Sequence, residues 1–149
     1  MIKDKLIIFD FLRTIYNPDK DIFVKDAMVV LDRLRIGNTL ILYTSREGDK
    51  NRKSLLERIG LNEAFDEICL VEKKDRKTMK LIADKYGKKN REVIVIGDRI
   101  KSEILIGNKN NFQTIWFKNG KYSKKGAESS IEEPDFLIDN LEELLKLSL

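Results

Sequence analysis

The sequence predicts an α/β fold: a central parallel sheet with helices on both faces, three layers in all. Two observations carry that prediction. Short apolar runs with no polar interruption, Leu6-Ile7-Ile8-Phe9 and above all Val93-Ile94-Val95-Ile96, read as strands covered on both sides. Between such runs lie amphipathic segments whose apolar residues recur at helical spacing and which glycines close. Alternation of the two kinds implies right-handed crossovers and a parallel sheet.

Element by element, residues 6–9 form the first strand. Phe23, Val24, Ala27, Met28, Leu31 and Leu34 then keep helical spacing until Gly37, predicting a helix across that whole stretch. Residues 39–43 make the second strand, and a helix carrying Leu55, Leu56 and Ile59 ends at Gly60. Residues 67–71 are the third strand. Met79, Leu81, Ile82 and Tyr86 mark a helix stopped by Gly87. The run 93–96 is β-branched throughout and is the most regular strand. A helix through Ile104, a short strand over 114–117, a polar loop over 119–130 and a last helix from Asn140 complete the chain.

Composition narrows the chemistry. A chain of 149 residues that is 42% hydrophobic supports one core, so residues 1–149 are expected to form a single domain. No apolar run approaches the roughly 20 residues a bilayer requires, and Met1-Ile2-Lys3-Asp4-Lys5 has no apolar signal segment. The expectation is a cytoplasmic protein with no membrane partner. Cys69 is the only cysteine, so no internal disulfide forms, and its apolar neighbours suggest a core thiol. With no histidine, Ser-His-Asp and Cys-His mechanisms and the usual zinc sites are excluded. The net charge of +4 is modest, and no basic, aromatic-interleaved strand suggests nucleic acid.

In open parallel sheets ligands bind beyond the carboxyl ends of the strands. The residue after each apolar run is therefore informative. Those residues are Asp10, then Thr44-Ser45-Arg46, then Glu72-Lys73-Lys74, then Gly97-Asp98-Arg99. Singly, each suits a helix cap; together they bring two carboxylates, hydroxyls and cations to one edge. Two aspartates without histidine suit a hard cation such as Mg2+. Hydroxyls, a nearby lysine and helix-start N–H groups favour phosphate. Neither a P-loop nor a G-x-G-x-x-G follows the first strand.

These residues resemble the motifs of the haloacid dehalogenase-like (HAD) superfamily of hydrolases. Phe9-Asp10-Phe11-Leu12-Arg13-Thr14 is similar to its D-x-D-x-T motif at the first Asp and the Thr. Ile41-Leu42-Tyr43-Thr44 resembles the second motif. Lys73 is taken as the third-motif lysine, with Lys74 and Lys77 as alternatives. Gly97-Asp98-Arg99-Ile100-Lys101-Ser102-Glu103-Ile104 resembles the fourth, G-D-x-x-x-x-D-I, with Glu103 for the last Asp. Gly107-Asn108, Thr114-Ile115-Trp116 and Pro134-Asp135-Phe136 continue the likeness, which covers nearly the whole chain.

The resemblance implies a three-layer Rossmann-like HAD fold, and the short intervals after Thr14 and Thr44 leave no room for a cap domain. It implies a phosphorylated substrate, and the uncapped site leaves room for a large one. Asp10 becomes the nucleophile that takes up the phosphoryl group. Mg2+ is held by Asp10, the Leu12 carbonyl, Asp98 and Glu103, while Thr44, Ser45, Arg46 and Lys73 bind phosphate. Leu12 stands where the family has its acid/base aspartate, which implies slow or specialised hydrolysis. A non-catalytic module that binds phosphate or a partner is the alternative. A receiver domain fits less well, since it needs an acidic pair after the first strand.

Overall fold

The computed structural model describes residues 1–149. Six parallel strands form the sheet in the order β5-β4-β1-β6-β7-β8. They are β1 (Leu6–Phe9), β4 (Thr39–Ser45), β5 (Glu67–Val71), β6 (Val93–Gly97), β7 (Gln113–Phe117) and β8 (Phe136–Ile138). From β1 the chain builds outward through β4 to β5, then returns to the other side of β1 for β6. That reversal lies between β1 and β6, and it opens a crevice at their carboxyl ends. Phe9 is level with Leu42 on one side and Ile96 on the other, so Asp10 and Asp98 leave the sheet close together.

Alternate side chains of the central strands enter two cores. Ile7, Phe9, Leu40, Leu42, Ile94 and Ile96 pack with residues of α1 (Ala27–Arg35), α2 (Arg52–Ile59) and the final 3-10 turn, Leu141–Lys146. Leu6, Ile8, Ile41, Tyr43, Val93 and Val95 pack on the opposite face against Met79, Ile82 and Ala83 of α3 (Arg76–Lys85), with α4 (Leu105–Lys109) beside it. Both faces of β1 and β6 are dry, which is why those strands carry no polar residue until their ends.

Three elements differ from the sequence reading. The first helix starts at Ala27, because Phe23 belongs to a small antiparallel hairpin of β2 (Tyr16–Asn17) and β3 (Ile22–Phe23). Tyr16 stacks on Phe11 at 5.5 Å and meets Phe23 edge-on at 6.4 Å, and Asp26 turns the chain with φ 64°. The stretch through Ile104 opens as a π-helical turn, Ile100–Ile104, before α4. The closing helix is 3-10 in form. Between β1 and β4 there is only the hairpin and α1, and between β4 and β5 only α2 and a short 3-10 turn, so neither interval holds an inserted cap.

Cys69 is half-buried on edge strand β5, packed against the rim of the second core. Burial, followed by the neighbouring Glu67, pushes its thiol up to about 12. A thiol so raised stays protonated at neutral pH, the form that is not a nucleophile.

Candidate active site

The ends of β1, β4, β5 and β6 converge on a cleft of about 140 Å³. Asp10, on leaving β1, donates its N–H to the Ile96 carbonyl at 2.9 Å, which fixes it at the crevice. The residue as a whole is 8% exposed. One oxygen accepts a hydrogen bond from Lys74 and the other from the Thr14 hydroxyl at 3.4 Å. Lys74 also donates to Glu103 at 2.8 Å, and Ser102 donates to the same Glu103 oxygen at 3.1 Å.

One oxygen from each of Asp10, Asp98 and Glu103 lies within 4.8 Å of the others, and all three residues are buried. Asp98 Oδ2 and Glu103 Oε2 have no hydrogen-bond partner. An unpaired buried carboxylate oxygen is costly, so this arrangement calls for a further cation. Gly97 permits it: a Cβ there would come within 2.8 Å of the Glu103 side chain. The π-helical turn brings Glu103 back toward the strand end, a distortion often found at functional positions. The Asp98 carbonyl is held by the Trp116 indole at 3.0 Å.

Electrostatics agree with that shortage of positive charge. Burial alone would raise Asp10, but the Lys74 ammonium, aided by hydrogen bonds from Asp98 and Lys74, holds it below the ordinary carboxylate range. Burial and then the charge of Asp10 push Asp98 up to about 9. Glu103 is raised by the same two causes, against the pull of Lys74. Burial disfavours the charged Lys74, yet Asp10 and Glu103 outweigh it and raise its pKa. Three carboxyls thus share one ammonium, which leaves the cluster short of positive charge.

On the other side of the cleft, Arg52 donates from Nη1 to Thr44 Oγ1 and to the Ser45 carbonyl, both at 2.8 Å. Its guanidinium lies 5.8 Å from the Phe11 ring centroid, and its Nε has no hydrogen-bond acceptor. Thr44, Ser45 and Leu12 line the same cleft.

Two of the sequence choices need correction. The lysine in the cleft is Lys74, whereas Lys73 is exposed and does not line it. Arg46 turns outward to Glu72 at 3.6 Å, and Arg52 occupies the place expected of it. Arg52 was missed because it opens α2 beyond a turn whose path, through Glu47 at φ 39° and Gly48 at φ 84°, a sequence pattern does not show. Its position at a helix start was the available signal.

The two lysines should behave differently on substitution. Lys74→Met leaves three buried acids without their ammonium and is expected to cost about 3–5 kcal/mol of stability at neutral pH. Lys73→Met, on the surface, should stay within about 0.5 kcal/mol. Urea unfolding of both variants checks this.

The comparisons agree with this architecture. A family model described as HAD-hydrolase-like matches residues 71–144. A glyceraldehyde 3-phosphate phosphatase from Methanopyrus kandleri is 30% identical over 139 residues, 87% of this chain and 59% of that protein. The chain therefore spans about three-fifths of that relative's length. A haloacid dehalogenase-like hydrolase structure from Burkholderia xenovorans superposes with a TM-score of 0.82 at 11% identity, over 99% of this chain and 97% of that one. A magnesium-bound HAD-hydrolase structure from Bacillus subtilis gives 0.78 at 13% identity, over 97% and 98%. The family model and the relative support assignment of the chain to the haloacid dehalogenase-like superfamily, and the two structures show that it has that fold.

Proposed function

We propose that this protein is a Mg2+-dependent phosphohydrolase that works through an aspartyl-phosphate on Asp10. One observation carries the reading: the Asp10 carboxylate is held by Lys74 and Thr14, beside two buried acids with unpaired oxygens, in a cleft that Thr44 and Arg52 also line. Such a site suits an anion approaching a nucleophile. The curated relative named as a glyceraldehyde 3-phosphate phosphatase supports a phosphomonoester substrate and makes that triose phosphate the first compound to try.

The donor set fits a hard cation. Asp10, Asp98, Glu103 and the Leu12 carbonyl would hold Mg2+, which supplies charge neutralisation between nucleophile and phosphoryl oxygens. The remaining work falls to side chains. An Asp10 oxygen attacks phosphorus in line with the leaving oxygen, and an acyl phosphate forms as the ester bond breaks. Lys74 keeps Asp10 ionised and in place. Thr44 and Arg52 receive the phosphoryl oxygens, the guanidinium stabilising charge spread over them. Water then hydrolyses the acyl phosphate and restores the carboxylate.

Leu12 can neither protonate the leaving oxygen nor activate that water, so turnover is slow, and the first transfer is slowest for poor leaving groups. The same leucine favours a second reading, a module that binds phosphate without turning it over. Hydrolysis of an aryl phosphate decides between them. Slow, chelator-sensitive release supports the enzyme; phosphate binding without release supports the module.

Metal and pH are linked. Burial, followed by the charge of Asp10, pushes Asp98 up to about 9 in the folded protein, against about 4 in an unfolded chain. Between those values the folded state holds a proton that the unfolded state has lost. Without divalent cation, stability should therefore fall as pH rises from 6 to 8.5, by at most about 1.4 kcal/mol per pH unit. Saturating Mg2+ should flatten the trend, as should Asp98→Asn. Thermal unfolding across that range, with and without Mg2+, is the measurement.

A further inference from the structure

The cleft continues outward along a basic wall that the hydrolytic reading leaves unexplained. Arg13 follows the Asp10 segment and Arg99 directly follows Asp98, so each hangs from a strand end that supplies a site carboxylate. Both line the cleft, and both guanidinium groups lie over one ring, Tyr122, at 5.6 Å and 4.6 Å from its centroid. Lys121 and Lys125 approach the same ring at 5.2 Å and 5.7 Å. None of these four cations is in an ion pair, whereas neighbouring Lys101 is taken by Glu128 and Glu132.

The backbone is shaped to present Arg13. Its φ of 64° lies in the left-handed region, which a long side chain rarely adopts. Asn119 holds its carbonyl at 2.8 Å, and its N–H donates to the Tyr16 carbonyl at 2.7 Å. Gly120 leaves room for the side chain, since a Cβ there would lie 3.1 Å from Arg13 Cδ. Beyond Arg99 and Tyr122 the cleft meets a wider depression of about 560 Å³, where Lys124 and Lys125 stand. Because cations surround the ring, Tyr122 orients them and is not a free surface for stacking a base.

We propose that the substrate carries a second phosphate group, gripped by Arg13 and Arg99 over Tyr122 while the first meets Asp10. Two unpaired guanidinium groups on one aromatic support suit the planar, forked recognition of a phosphate. The inference rests on Asp10 being the phosphoryl site and names the substrate class, a compact bisphosphate. A triose monophosphate would leave the Arg13–Arg99 pair without a partner.

The test reads binding, so it does not depend on turnover. Asp10→Asn protein with Mg2+ is titrated calorimetrically with fructose 1,6-bisphosphate and with fructose 6-phosphate. The bisphosphate should bind about tenfold more tightly or better, a preference that shrinks with salt. Adding Arg13→Met and Arg99→Met should bring the ratio of the two affinities near one, and Tyr122→Leu, which keeps both cations, should lower it partway. Equal affinities before those changes, or a ratio that neither change moves, would overturn the proposal. Aryl phosphate turnover by the unaltered protein separately decides the hydrolase reading. Turnover without a bisphosphate preference defeats this inference alone, and a bisphosphate preference without turnover defeats only the hydrolase.

Discussion

Asp10→Asn is expected to abolish Mg2+-dependent phosphate release, a loss on the order of 10⁴-fold or more. The amide has nearly the same size but no anionic oxygen to attack phosphorus, and it contributes one less charge toward a cation. The fold should survive, because Lys74 keeps Glu103 at 2.8 Å as a partner and no cavity opens. A folded, inactive variant in parallel circular dichroism and aryl phosphate assays is the expected result. Undiminished release would mean that the chemistry occurs elsewhere.

Leu12→Asp should act in the opposite direction. Leu12 lines the cleft and is only half-buried, so a carboxyl placed there stays within reach of water. It could protonate a leaving oxygen and later accept a proton from water, work worth roughly 10²–10⁴ in rate. The gain in kcat, set by hydrolysis of the acyl phosphate, should be similar for all substrates, and the gain in kcat/KM should be largest with poor leaving groups, where protonation matters most. An aryl phosphate series of graded leaving-group pKa measures it. If the rate stays level while Asp10→Asn is inactive, proton transfer comes from another group. Glu47 is the one other acid lining the cleft outside the buried trio.

The parts of the fold legible in the sequence were those where one force dominates. β1 and β6 are buried on both faces, so their composition is uniform and the first polar residue beyond each marks the sheet edge. Hence Asp10, Thr44 and Asp98 could be brought to one edge from spacing alone. The resemblance added a role for Glu103, and its buried carboxylate does lie beside Asp10 and Asp98.

Legibility failed in the connecting segments. Lys73 and Lys74 are neighbours in a loop with no periodicity, and only the fold decides which faces inward. Arg52 reaches Thr44 because the turn before it doubles back, a path set by backbone conformation. The β2–β3 hairpin has two-residue strands, held by Tyr16 packing on Phe11 and Phe23, so tertiary contacts overrode the helical spacing of Phe23 and Val24.

The most direct test of the account is whether Asp10 becomes phosphorylated. With no acid/base carboxyl at position 12, hydrolysis of the acyl phosphate should lag its formation. Acid-quenched protein from an aryl phosphate reaction with Mg2+ should therefore carry one phosphoryl group, mapped by peptide mass spectrometry to Asp10 and absent from Asp10→Asn. A phosphoryl group found on a different residue, or one retained in the Asp10→Asn protein, would contradict the account.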